Sequence, residues 1–255
     1  MVEIKEILFD NFHLWFNDPH DIVAILESYV LNVYKTQNIK KGSTVIDVGA
    51  GIGEFSVLAS SIVGNEGRVI AIEPSPDDFK TLQNNIRENG CSNVMPINSA
   101  LSNKKETLSL AFKGKNFEAE ADTLSNILTK LNVQVNSIHY MKMDIEGAER
   151  LAIPSSLDII KNIDYLAIEI HDGFSNELIP YMKNQGFVFK RIERNEYIMN
   201  AIKKTVRHPL GVYHLWKAFK STGENPGLGK ISSGIDISNS RELVVGLFFK
   251  QNIIA

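Results

Sequence analysis

One cysteine, Cys91, stands in the whole 255-residue chain. A lone thiol excludes an internal disulfide and a cysteine-based metal cluster, and it fits a reducing compartment. Long apolar runs are missing too; none approaches the ~20 residues that a helical membrane span needs. The N-terminus, Met1-Val2-Glu3-Ile4-Lys5-Glu6, carries acids and leads to no long apolar core, so the signal-peptide pattern is absent. Charge of one sign is scarce: a net of −3 gives no general attraction to nucleic acid or to an anionic membrane. Internal repeats and low-complexity tracts are lacking. The expectation from these absences is a soluble cytoplasmic protein. What remains is a 44% hydrophobic composition, enough for a real core, in a length suited to one α/β domain with additions.

Two segments carry most of the information. In Val45-Ile46-Asp47-Val48-Gly49-Ala50-Gly51-Ile52-Gly53-Glu54, an apolar run ends in an acid and is followed by a glycine turn and a helix-like stretch. A second run, Arg68-Val69-Ile70-Ala71-Ile72, ends in Glu73-Pro74. Glu73 follows Gly53 at the spacing of about 20 residues that nucleotide-binding turns use. This is a strand, turn, helix, strand unit suited to an adenosine-containing cofactor. The glycines admit a close ligand, and the acid accepts hydrogen bonds from ribose hydroxyls. A dinucleotide site wants GxGxxG, with a helix N-terminus on the pyrophosphate. Here Glu54 fills the third glycine position and would repel a pyrophosphate. It is better tolerated beside S-adenosylmethionine (SAM), which carries a sulfonium and an ammonium. Asp47 is placed to reach the methionine end, directly or through water. The alternative is a glycine-rich turn with no ligand.

Alternation of short apolar runs with amphipathic stretches predicts strands at 44–48, 68–73, 93–97, 138–144 and 165–170. Helices are predicted at 54–63, 76–89, 122–131, 147–160 (broken by Pro154) and 175–184. Thr107 to Phe112 is a candidate extra strand. Such alternation argues for a parallel sheet with helices on both faces, and ligands bind at the C-terminal strand ends. Those ends carry Asp47, Glu73, Asn98, Asp144, Glu169 and His171. Before them, residues 1–17 read as a hairpin or extended arm, and a helix capped by Asp18 or Asp21 is predicted to run to about Thr36. After them, strands are predicted at 187–192 and 243–249. The fifty residues between exceed ordinary connections. They hold helix-like 195–206, a Pro209-Leu210-Gly211 break, helix-like 212–220 and a Gly/Ser/Asn/Pro-rich stretch, 221–240.

The second segment, Lys142-Met143-Asp144-Ile145-Glu146-Gly147-Ala148-Glu149, places three acids at a strand-to-helix turn. Such crowding is costly unless the acids are solvated, bonded or used. With this stretch the chain resembles the FkbM family of SAM-dependent methyltransferases. The matching motifs run in order over about residues 40–192: VIDVGAGIGEF (45–55), AIEP (71–74), LQNN (82–85), NSALS (98–102), DTLSNIL (122–128), KMDIEGAE (142–149) and IEIH (168–171). The family pattern has Asn where Gly51 stands.

The resemblance implies a fold: a class I methyltransferase, Rossmann-like α/β sheet of seven strands. Its last strand is antiparallel and helices cover both faces; the N-terminal helical arm and the helical insertion between the last two strands are read from the residues themselves, and 195–240 match no family motif. As one domain over 1–255, it divides into an arm and helix (1–41), a SAM-binding core (42–194), an insertion or cap (195–240) and a final strand (241–250). It also implies methyl transfer to a hydroxyl, with S-adenosylhomocysteine as product. The cofactor residues it implies are Asp47, Gly49, Gly51, Gly53, Glu73, Pro74, Ser99 and Ala100.

A hydroxyl acceptor needs a base or a metal-bound alkoxide. Glu169 and His171 are two apart on one strand face, beside Asp144. His171 is the candidate general base, oriented by Asp144 or Glu169. The less favoured alternative puts a divalent metal on Asp144, Glu169 and His171. Others are a loop role for His171 and a cofactor-binding or helix-start role for Asp144. Lys142 is a partner for Glu146 or Glu169. Glu146 and Glu149 are placed to stabilise the next helix.

The expected acceptor is a small molecule, a glycan or a glycolipid, with a homodimer possible. Tyr213, Trp216 and Phe219, interleaved with cations, mark a cap helix, a substrate lid or a membrane-surface helix. The rivals are an N- or nucleic-acid methyltransferase, a non-catalytic SAM-binding protein and a NAD-dependent oxidoreductase. Asp144-Ile145-Glu146-Gly147 differs from the Asn/Asp-Pro-Pro-Tyr/Phe of base-flipping amino methyltransferases, and nucleic-acid binding lacks its electrostatic footprint.

Overall fold

The short aliphatic runs form a seven-stranded sheet in a computed structural model, which describes residues 5–9, 11–171, 173–221 and 244–253. In chain order the main strands are β3 (Thr44–Val48), β4 (Arg68–Ile72), β5 (Val94–Ile97), β9 (Ile138–Met143), β10 (Tyr165–Ile170), β11 (Phe187–Arg191) and β12 (Val244–Lys250). They lie in the order β11-β12-β10-β9-β3-β4-β5. The pairings of β3, β4, β5, β9 and β10 with one another are parallel; β12 runs antiparallel to both β10 and β11. The last strand is thus wedged between β10 and β11 and pairs on both sides.

Successive side chains of a strand face opposite ways, and the core divides accordingly. Val45, Val69, Ala71, Tyr140 and Ala167 pack on one face, with α2 (Glu54–Val63) and the N-terminal elements. Ile46, Ile70, Met141, Leu166 and Ile168 pack on the other, with α4 (Leu124–Lys130), α5 (Glu149–Ser155) and α7 (Ser175–Asn184). Every residue of β3 is buried, as a central strand covered on both faces requires.

The arm is a hairpin, β1 (Lys5–Phe9) with β2 (Phe12–Phe16). It is stapled to α3 (Pro76–Glu88) by side-chain amides. Asn85 accepts from Trp15 N at 2.7 Å and donates to Trp15 O at 3.0 Å and to Ile52 O at 2.8 Å. Asn89 does the same for His13.

Some expectations need correction. The helix expected to reach Thr36 is α1 (Pro19–Ile25), capped by Asp18 with Asp21, followed by a π-helical turn, Leu26–Leu31. Asn32, at φ 51°, ends it. The helix expected from residue 122 begins at Leu124, because Lys115–Asp122 forms a strand, β8, paired with β7 (Glu106–Phe112). Lys113 and Gly114, at φ 49° and 73°, make the tight two-residue turn that suits a hairpin. A two-residue strand, β6 (Ala100–Leu101), joins β8. The expected helix 147–160 is two, α5 and α6 (Leu157–Ile160), parted at Ser156 just after Pro154.

In the insertion, α8 (Arg194–Arg207) and α9 (Pro209–Ser221) part at His208 alone. Pro209 opens α9, where its missing N–H costs nothing. Most of the 221–240 stretch lies outside the described residues. No helix among the described residues is long and apolar enough to cross a membrane.

Candidate functional site

The glycine turn sits where β3, β4 and β9 end. Gly49, at φ +73°, is pressed against β9: a Cβ there would lie 1.7 Å from the Asp144 carbonyl oxygen. At Gly53, φ +86°, a Cβ would lie 2.3 Å from Leu82 Cδ1. The first glycine therefore locks the turn to the strand carrying Asp144, and the last lets α3 close beneath it. Gly51 donates its N–H to Glu73 Oε2 at 2.7 Å, and Ser75 N–H donates to Oε1 at 2.7 Å. Each oxygen keeps a second lone pair for a ribose hydroxyl. Burial pushes the Glu73 carboxyl up to about 8, against the pull of those two N–H groups.

Pro74 is half-buried beside Glu73. Asn98 donates to Glu73 O at 2.9 Å, tying the ends of β4 and β5 together. Ser99 and Ala100 are buried, and the Ser99 hydroxyl is engaged with Ala100 O and Glu120 O. A cavity of about 280 Å³ opens beside Asn98 and Ser99, reaching Asp122 and Ile127.

Asp47 lies in β3 just before the turn. It is fully buried, accepts from Ser56 Oγ at 2.6 Å and lies 3.4 Å from Lys142 Nζ. It supports the turn from below, and its Oδ1 has no hydrogen-bond partner. Lys142 pairs with neither Glu146 nor Glu169 in the first instance. It lies opposite Asp47 in the β3–β9 register, donates to Gly49 O at 2.5 Å and stands 3.9 Å from Asp144 Oδ2. Burial pulls the ammonium down, but Asp47 and Asp144 outweigh it and hold the charge.

Asp144, Glu169 and His171 do converge. Each offers a ligand atom, and these atoms all lie within 4.8 Å of one another. His171 Nε2 faces Asp144 Oδ1 at 3.8 Å, Glu169 Oε1 at 3.7 Å and Glu146 Oε2 at 3.6 Å. The orienting group is another residue. Nδ1 of His171 bonds Glu149 Oε1 at 3.1 Å, and the same oxygen accepts from Ile145 N at 3.2 Å. Glu149 is wholly buried and its other oxygen has no hydrogen-bond partner. Glu146 at φ 53° and Gly147 at φ 99° form the reversal that folds Glu149 back beneath the imidazole.

The N-terminal region adds groups that the reading of the sequence missed. The Tyr34 hydroxyl stands 3.3 Å from Asp144 Oδ2 and 3.4 Å from Glu169 Oε2, one proton for two carboxylates. Glu27, on the π-helical turn, adds a further acid. Its position follows from the irregular helix, which apolar periodicity does not reveal; π turns are frequent at functional sites.

Seven carboxylates (Glu27, Asp47, Glu54, Asp144, Glu146, Glu149 and Glu169) thus surround Lys142 and His171. Burial, then Asp144 and Glu54, push Glu27 up to about 8. Burial pushes Glu54 up to about 7, and burial with Asp144 holds Glu169 well above the carboxylate range. Burial lowers His171, but the Glu149 bond and Asp144 dominate and raise it to about 9. Such a site fits a cofactor bearing a sulfonium and an ammonium. It would repel a pyrophosphate.

This sheet order and rim define the Rossmann-like class of SAM-dependent methyltransferase domains. The family model for the methyltransferase FkbM domain matches residues 47–189, and the chain belongs to that family. A hexuronic acid methyltransferase, AglP, of Haloferax volcanii is 26% identical over 137 residues, covering 50% of this chain and 55% of that protein. A fibrillarin-like rRNA/tRNA 2'-O-methyltransferase of Pyrobaculum aerophilum is 33% identical over 72 residues, 28% of this chain and 31% of that one. The chain spans about half or less of the length of the curated relatives it matches. Among solved structures, an rRNA methylase from Streptococcus thermophilus aligns with a TM-score of 0.47 at 10% identity, covering 91% of this chain and 93% of that one.

Proposed function

We propose that the protein is a SAM-dependent O-methyltransferase acting on a hydroxyl of a sugar or glycolipid. The observation that carries this reading is the His171 imidazole, fixed through Nδ1 on buried Glu149 with Nε2 turned to the acidic rim beside the glycine turn. SAM, when bound, supplies a methyl group on a sulfonium, open to in-line attack. Glu73 would hold the ribose, Gly49, Gly51 and Gly53 would form the floor, and Pro74, Ser99 and Ala100 would flank the adenosine. Asp47 acts beneath the turn, through Lys142 and Ser56. His171 Nε2 takes the proton of the acceptor hydroxyl, and Glu149 steadies the imidazolium that results. At neutral pH the raised pKa keeps His171 protonated; the positive charge of bound SAM would lower that pKa, so that Nε2 gives its proton to solvent and is then free to take the acceptor's. The family membership and the partial likeness to a hexuronic acid methyltransferase support a sugar acceptor.

The test is a radiolabel transfer assay from SAM to a panel of hydroxylated acceptors, with S-adenosylhomocysteine binding measured in parallel. His171→Ala is expected to keep the binding and lose at least about 100-fold in kcat. Full turnover by that variant on the true acceptor removes the base. Loss of S-adenosylhomocysteine binding in wild type removes the whole reading.

The 4.8 Å grouping of Asp144, Glu169 and His171 favours one second reading, a divalent cation that lowers the acceptor's pKa. Activity abolished by chelation and restored by Mn²⁺ would select it over the free imidazole.

A further inference from the structure

Seven of the eight large apolar side chains exposed among the described residues lie on two consecutive helices. On α8, Ile198, Met199, Ile202 and Val206 recur at spacings of three and four, and Val206 is 77% exposed. On α9, Leu210 (73% exposed), Tyr213 and Trp216 continue the pattern. These are not the faces that hold the helices on the protein. Tyr197 and Ala201 of α8, with Val212, Leu215 and Ala218 of α9, already pack on the core. The outer stripe is a second apolar face, and core packing does not explain it.

Charge separates the candidate occupants of that face. Residues 194–221 carry six cations (Arg194, Lys203, Lys204, Arg207, Lys217 and Lys220) against one acid, Glu196. That is a net of +5 in a chain of net −3, so the remaining residues carry −8. Glu196 is itself paired with Lys35 at 2.8 Å. Lys203 and Arg207 follow Met199 at four-residue steps and flank the apolar stripe. Lys217 and Lys220 lie one turn beyond Tyr213 and Trp216, and the Lys220 ammonium sits 4.2 Å from the centre of the Trp216 ring. A second copy of the same face would set Lys203, Arg207, Lys217 and Lys220 against their own copies. A purely ionic partner such as nucleic acid would leave the apolar side chains wet. Cations beside exposed aliphatics and amphipathic rings fit one environment, the headgroup and acyl boundary of a bilayer.

We infer that α8 and α9 seat the protein on an anionic membrane surface. The aliphatic stripe enters the boundary while the flanking lysines and arginines meet the headgroups. The inference stands on the outer face and does not depend on methyl transfer. Joined to the proposed function, it narrows the acceptor to one carried on a lipid. The inner face of α8 borders the acidic rim: its Tyr197 hydroxyl is held in the neutral form by burial and by Glu27 and Glu169.

The test is co-sedimentation of the full chain with two kinds of vesicle, one of phosphatidylcholine alone and one an equimolar mixture of phosphatidylcholine and phosphatidylglycerol. Binding to the anionic vesicles at least tenfold tighter than to the neutral ones, and weakened by raising NaCl, is expected. Val206→Glu with Leu210→Glu should lower that binding tenfold or more, as should Lys203→Glu with Arg207→Glu. Both pairs lie on exposed positions, so the melting temperature and S-adenosylhomocysteine binding should stay as in wild type. Equal or no binding to the two vesicle types overturns the inference, as does full binding by the Val206/Leu210 pair. A stable dimer in light scattering that dissociates in that pair, with no vesicle binding, assigns the face to a second copy instead.

Discussion

Gly49 and Glu73 show how single residues shape the glycine turn. Any side chain at Gly49 collides with backbone, the Asp144 carbonyl, and must also adopt a left-handed conformation. Gly49→Ala should therefore abolish S-adenosylhomocysteine binding in calorimetry and lower stability by roughly 2 kcal/mol or more in denaturant titration. Glu73, raised to about 8 by burial, is largely protonated at neutral pH, whereas two ribose hydroxyls are best accepted by the carboxylate. Binding should release a proton and tighten as pH rises from 6 to 8.5. Calorimetry in buffers of different ionisation heat reads this directly, and Glu73→Gln should remove the pH dependence. The position of both residues is legible in the sequence, because an apolar run, a glycine turn and an acid at the end of the next run fix where β3 ends and where β4 ends. Glu149 is visible too, but it reads there as a helix-start acid. Its true partner, His171, lies just past the end of β10, and only the left-handed reversal at Glu146 and Gly147 brings the two together. Lys142 is likewise mispaired by sequence spacing, since its approach to Asp47 follows from the β3–β9 register, which spacing does not specify.

Among elements, the LQNN motif works as a clamp. Leu82 closes against Gly53, while Asn85 ties the glycine turn through Ile52 O to the hairpin arm through Trp15. Asn85 is fully buried, so Asn85→Ala would leave backbone groups without partners. The expected cost is roughly 2–4 kcal/mol in a urea titration, with hydrogen exchange rising first in β2. The parallel strands β3, β4, β5, β9 and β10 can be read to within a residue at either end, because buried apolar runs bounded by Gly, Pro or acids are strong signals. The β7–β8 hairpin is only half visible. Glu118 and Glu120 break the apolar pattern of β8, and they are tolerated because alternate residues of that strand face solvent. The π-helical turn at Leu26–Leu31 leaves no periodic trace, and with it Glu27 goes unnoticed.

Across the whole molecule, folding raises the proton affinity of several buried acids at and around the rim. Glu27, Glu54 and Glu73 have folded-state pKa values of about 8, 7 and 8, above their ordinary 4.5. Between those limits the folded state binds more protons than the unfolded one, so stability falls as pH rises from about 5 to 8. His171, raised from 6.5 to about 9, stabilises below 6.5 and loses that contribution as pH climbs to 9, which is the same direction. Melting temperature should drop from pH 5.5 to 8.5, and Glu54→Gln should flatten the slope. The net charge of −3 hides a further asymmetry, since the cations of residues 194–221 cancel against acids elsewhere.

The position of β12 governs the order in which the sheet is completed during synthesis. β10 and β11 are not neighbours; each pairs with β12, whose residues, 244–250, come after the long insertion. Until those residues leave the ribosome, β10 has an open edge and β11 has no partner in the sheet. Glu169 stands on that open edge, opposite Val245. Closure of the sheet beside Glu169 therefore has to wait for residues 244–250.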